Sequence, residues 1–242
     1  MRKILIALSS LMACAFVASA QQKTIEPSGN IITKDISVKS FDAIRANGLY
    51  ELILTQGDKE SVKIEADDNV QDLFNVSNDG STLVIDMPKL KHDDVNIKNK
   101  HDDHHGMKWK VYVSFKNLKS IDVGVVGNVH SENAVKAQAF EINSKNVGNV
   151  DLEINTSKLT VQNNGVGNLR LNGTATDAVI NNSGVGALDG EGLVVQTMNI
   201  NNSGVGHASV NVQKDLTIKQ SFLGKVSNKG NAKKHEMEGV EM

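Results

Sequence analysis

Between residues 119 and 228 the chain repeats itself about every twenty residues, and this repetition limits the possible folds more than any other feature. Gly127, Gly148, Gly167, Gly186, Gly206 and Gly224 mark the repeat, at spacings of 21, 19, 19, 20 and 18 residues. Six residues before each glycine stand Ile121, Ile142, Val161, Ile180, Ile200 and Ile218. Two before those stand Lys119, Phe140, Leu159, Ala178, Met198 and Leu216. Val126, Val147, Val166, Val185, Val205 and Leu223 come immediately before the glycine, and Val129, Val150, Leu169, Leu188, Ala208 and Val226 two after it. Alternating apolar residues signal a half-buried strand. Held in register, these side chains stack inward, each on its equivalent in the next coil about 4.8 Å away. No such coil is stable alone, because its neighbours complete its backbone hydrogen bonds. The expected fold is all-β, a parallel β-helix or solenoid with about 20 residues per coil.

The six glycines are read as structural turn residues, placed where the chain needs a positive φ or a close backbone approach. Asn163-Asn164, Asn181-Asn182 and Asn201-Asn202 share nearly one register and suit amide ladders between coils. A phosphate-cradling reading of the Gly-Val-Gly units fails, because no helical period follows them.

Residues 24–118 are β-rich but less regular. Leu49–Leu54, Val62–Glu65 and Leu83–Asp86 read as strands, with turn signals at Gln56-Gly57-Asp58 and Asn78-Asp79-Gly80. Trp109, Val111, Val113 and Phe115 alternate with Lys110, Tyr112 and Ser114. A solenoid end is an unpaired edge, so this half is expected to cap the coil or to form its first, broader coils. At the other end the charged run Lys233-Lys234-His235-Glu236 is suited to blunting the edge.

The first twenty residues have the form of a secretory signal peptide: Arg2 and Lys3, an apolar run to Val17, and Ala18-Ser19-Ala20 before Gln21. Acylation of Cys14, the only cysteine, is the less favoured alternative. The expected organisation is a signal peptide at 1–20, a lead segment at 21–39, one solenoid domain at 40–230 and a charged tail at 231–242. The expected location is exported: periplasm, outer membrane surface or secreted. Without Arg2 and Lys3, 24 basic residues face 28 acidic ones, which argues against nucleic acid as a partner. No segment of the mature chain has the ~20 apolar residues of a transmembrane helix.

Two groups of residues are candidate sites. The polar insert 89–108 holds His92, His101, His104 and His105 among aspartates. These are ligand types for Zn, Ni or Cu, but the tract lacks the fixed spacing of a closed site and reads more simply as a solvated loop. No other cofactor is implied. The second group follows from the repeat. Three residues after each glycine stand His130, Asp151, Arg170, Asp189, Ser209 and Ser227; five after stand Glu132, Glu153, Asn172, Glu191, Asn211 and Lys229. Their parity is opposite to that of the inward stack. Asp151, Glu153, Arg170, Asp189 and Glu191 are therefore expected on one outward strip, either as a solvated charge ladder or as a carbohydrate or cation site. Asp151 and Asp189, two coils apart, lie about 9–10 Å apart at the backbone, at the edge of the ~6.5–9.5 Å carboxyl separation of inverting glycosidases.

Ser40-Phe41-Asp42-Ala43-Ile44, Asn47–Leu52, Ser81–Ile85 and the glycine-valine-glycine coils together resemble the putative auto-transporter adhesin, head GIN domain family of Bacteroidetes-type bacteria, over roughly residues 35–230. The resemblance implies a right-handed β-helix-like fold and an envelope or surface location, and brings no catalytic residues with it. The function expected is a non-catalytic, adhesin-like envelope or surface module meeting an envelope or host glycan or protein. Two alternatives stay open: a polysaccharide-active enzyme or polysaccharide binder using the Asp151/Arg170/Asp189 strip, and a periplasmic metal-binding protein using the His-rich insert.

Overall fold

The computed structural model describes residues 23–88, 95–97, 109–221 and 223–236. It is a β-solenoid of about six turns, with equivalent positions about 19 residues apart. Long strands Val135–Ser144, Val150–Asn163, Leu169–Asn182, Leu188–Asn202 and Ala208–Gln220 pair in parallel, each with the next. One interior column runs Ile121, Ile142, Val161, Ile180, Ile200, Ile218, paired residue to residue. A second runs Val129, Val150, Leu169, Leu188, Ala208, Val226. All but Val226 are buried. Burying a side chain of this size stabilises by about 1.5–3 kcal/mol, so the stack of columns is the main force holding the coils together.

Both columns continue into the front half, but not in chain order. Ala43–Gly48 and Glu51–Gln56 form a coil beneath Ser120–Val125 and Val129–Ser131, with Ile44 under Ile121 and Leu52 under Val129. The coil beneath that one comes from later in the chain: Leu83 of Thr82–Asp86 pairs with Ile44, and Val111 of Lys110–Phe115 with Leu52. Residues 43–56 are thus held between two coils that both follow them in sequence.

The same half also caps the stack. Ser61–Asp67 lies antiparallel to Lys110–Phe115, Ile31–Ile36 antiparallel to Ser61–Asp67, and the hairpin Asn75–Asp79/Thr82–Asp86 turns at Gly80. The 3₁₀ segment Asp68–Leu73 buries Val70 and Leu73. Trp109 is buried, and its Nε1 donates to Asp67 Oδ2 at 2.8 Å. Phe74 joins it to Tyr50, at ring centroid distances of 6.4 and 5.7 Å. At the far end Lys233–Glu236 pairs with Ala208–Gln220, and its four side chains are exposed. Within the insert 89–108, Val95–Ile97 is a strand parallel to Lys23–Ile25, so this tract is not all loop.

One column departs from expectation. Val126, Val147, Val166, Val185 and Val205 do not point inward with the other apolar columns; each keeps between 47% and 52% of its surface exposed, and Leu223 keeps 60%. The valines stand at an odd offset from the inward positions, next to the corner glycine, and strand alternation turns them to solvent.

Candidate functional site

At each corner the backbone is packed so closely that only glycine fits. Gly127, Gly148, Gly167, Gly186 and Gly206 have φ between 129° and 151°. A Cβ on Gly186 would run into the carbonyl oxygen of Gly167, and one on Gly167 into that of Gly148. Gly224 is not among the positive-φ glycines, but a Cβ there would meet the carbonyl of Asn202. Inside the corner lies a polar column. Asn163 Nδ2 donates to Asn182 Oδ1, and Asn182 Nδ2 to Asn202 Oδ1, both at 2.7 Å and out of solvent. The corner's geometry is therefore fixed from both sides.

In its central part the outward strip brings Asp151, Arg170 and Asp189 side by side. Asp151 pairs with Arg170 and Arg170 with Asp189 in adjacent strands. Arg170 Nε lies 3.1 Å from Asp189 Oδ2, and Nη1 lies 3.6 Å from Asp151 Oδ2. The guanidinium bridges the two carboxylates, with all three side chains about half exposed. Asn172 Nδ2 also donates to Asp151 Oδ1 at 3.2 Å. Glu153 pairs with Asn172, as the parallel column requires, but Asn172 pairs with Gly192 rather than Glu191. The reason is a bulge: the coil from Gly186 to Gly206 is one residue longer than the one before it. Glu191 is displaced from the column and reaches Lys229 at 3.6 Å instead.

Toward the cap the strip continues through residues that repeat counting does not reach. His130 Nδ1 lies 3.4 Å from Glu51 Oε1, Lys110 Nζ lies 3.9 Å from Glu51 Oε2, and Thr55 Oγ1 donates to Glu132 at 2.6 Å. Glu51, Thr55 and Lys110 belong to coils placed out of chain order, and only the alternation of Trp109–Phe115 hinted at the facing of Lys110.

The strip is a row of paired charges. A groove of about 710 Å³ lies elsewhere, over Leu118 and Phe140, with Lys119, Lys136 and Lys158 on its walls. His92, His101, His104 and His105 lie outside the described residues, and among the described residues no three His, Cys, Asp or Glu side chains gather as a metal site would. No described helix is long and apolar enough to cross a membrane.

Comparison with known proteins agrees with this architecture. No curated protein sequence matches the chain. Among solved structures, a putative adhesin from Bacteroides fragilis is 29% identical with a TM-score of 0.73, over 88% of this chain and 100% of that one. A putative lipid binding protein from Parabacteroides distasonis is 21% identical (TM-score 0.67, covering 88% and 95%), and a putative adhesin from Parabacteroides merdae is 20% identical (TM-score 0.59, covering 88% and 99%). These last two speak for the fold alone. The profile of the family described as "Putative auto-transporter adhesin, head GIN domain" matches residues 40–232. That match spans every coil of the solenoid and most of the cap, and the chain belongs to this family.

Proposed function

We propose that this chain is a non-catalytic, adhesin-like binding module of the cell envelope, exported by its first twenty residues and displayed at the surface or in the periplasm. The observation that carries the reading is a stack of coils whose outward columns repeat step by step, a surface suited to extended contact with a large partner. Membership in an adhesin family supports it.

The test is twofold. Surface labelling and protease shaving of intact cells report the location. The mature chain, immobilised, is offered a panel of envelope glycans, host glycans and matrix proteins. Retention of at least one class, with no turnover of any glycan, is the expected result. Turnover would refute the non-catalytic reading, and a protein that is never exported would refute the location.

A second reading is favoured by Arg170: the strip is a polysaccharide-binding face. A guanidinium between two carboxylates offers donors and acceptors side by side, the pattern that neighbouring sugar hydroxyls match. The same pairing disfavours a glycosidase pair, since both carboxylates are engaged by one cation. Asp189→Asn and Arg170→Ala should each weaken glycan retention at least several-fold if this face is used, and leave it unchanged if it is not.

A further inference from the structure

We infer that the exposed valine column is a self-association surface, and that its partner is the same column on a second copy of this chain. Val126, Val147, Val166, Val185 and Val205 are joined by parallel bridges, each directly above the last, and Gly206 N donates to Leu223 O at 3.2 Å to continue the row. Six half-exposed aliphatic side chains in one line form an apolar patch on the order of a few hundred Å², the size of the largest patch on a typical monomer, which is often functional.

Charge distribution on this face points to a second copy. In a chain that is 22% charged, the five-residue corners 124–128, 145–149, 164–168, 183–187, 203–207 and 221–225 carry no carboxylate and only Lys145 and Lys225 as cations. A two-fold axis that reverses one solenoid on the other sets Lys145 against Ser203 and Lys225 against Asn128, so no lysine meets a lysine. Depletion of charge at the centre is what distinguishes the core of an interface.

Geometry points the same way. Glycines on both sides of Val166, Val185 and Val205, and on one side of Val126 and Val147, leave the column standing as a ridge with low shoulders. A second ridge of identical rise seats its side chains in the gaps of the first along the whole row, whereas a surface of different period loses register within a few coils. Flanking the ridge, Asn168 Nδ2 donates to Asn149 Oδ1 at 3.1 Å, and Asn149 Nδ2 to Asn128 Oδ1 at 3.4 Å, a polar rim already ordered.

The face spans five steps of about 4.8 Å by roughly five residues, less than the ~800 Å² per partner of a standard interface. Pairing is therefore weak in solution and gains strength where many copies are held together.

Sedimentation and small-angle scattering of the mature chain from 10 µM to 1 mM test this, with Val166→Lys/Val185→Lys and the near-isosteric Val166→Thr/Val185→Thr as variants. The expected result is a concentration-dependent dimer, abolished by lysine and weakened at least several-fold by threonine, while circular dichroism spectra and melting stay like those of the parent. A parent that remains monomeric at 1 mM overturns the inference. So does a dimer that the threonine pair leaves intact, because contact then lies on another face. If lysine unfolds the chain, the threonine pair decides alone.

Discussion

Asn163 donates its side-chain amide to Asn182 at 2.7 Å inside the coil, and Asn182 passes the pattern on to Asn202. Each amide both gives and receives, so removing the middle one strands a donor below and an acceptor above. Asn182→Ala should lower stability by about 2–4 kcal/mol, at the cost of ~1–3 kcal/mol per buried polar group left unpaired. Urea denaturation with an unchanged m-value is the measurement. A loss below 1 kcal/mol would mean that water replaces the missing partner.

The corner glycines give a sharper test, because their requirement is steric. Gly186→Ala places a methyl group against the carbonyl of Gly167 at a φ of 131°. Such strain costs about 1–3 kcal/mol before the clash is counted. We expect a loss of at least about 2 kcal/mol, whereas Gly57→Ala, with open space around the new methyl, should change stability little. Thermal melts of the two variants side by side would show the contrast.

Arg170→Ala should behave in the opposite way. Its two ion pairs are about half exposed, and such pairs contribute less than ~1 kcal/mol each and weaken in salt. The melting temperature should move by no more than a few degrees, and the shift should shrink as salt is raised. A large loss would show that the strip holds the coils together.

The cap should set the pH range of stability. Hydrogen bonds from Lys119 and then Ser81 hold the Asp42 carboxyl below its ordinary value; bonding from Ser40 does the same for Glu60, and from Ser28 for Asp68. A depressed carboxyl contributes stability above its unfolded pKa and loses it as pH falls through the folded one, so stability should fall below about pH 4. Lys119→Met should move that acid transition upward. At the other extreme, burial raises the Tyr50 phenol far above its ordinary value of 10.0. A raised group contributes fully below the unfolded pKa and loses its contribution as pH rises above it, so alkaline unfolding should set in above pH 10. Tyr50→Phe should delay that onset, while losing a 3.3 Å bond to the Ile85 carbonyl.

The interior columns were legible in the sequence because Ile142, Val161, Ile180 and Ile200 combine fixed spacing with apolar chemistry. Val166 was harder to place, because its chemistry said inside and its parity said outside; one step before Gly167 it stands at an odd offset from the inward set. Asn182 is the converse, polar in kind but at an even offset, and it is buried. At both residues the alternation of the strand decided and hydropathy did not. Glu191 was out of reach for another reason. One extra residue between Gly186 and Gly206 shifts the register locally, and nothing in composition tells on which side of the corner the excess is absorbed. The place of Glu51 beside His130 depends on pairing between distant segments, for which a single sequence carries no signal.

The order of the first coils bears on how this chain comes to be folded at all. Residues 43–56 have no lower neighbour until 82–115 has arrived and no upper one until 120–131 has followed. A solenoid laid down from its first strand could solidify one winding at a time as it emerged from a ribosome or a channel. Here the seed is a three-layer knot of contacts between segments far apart in the chain, and bringing them together is slow. Until about half of the chain is available, this first coil lacks the strands that complete it on both sides. Once residue 131 is in place, every later winding finds a finished template waiting.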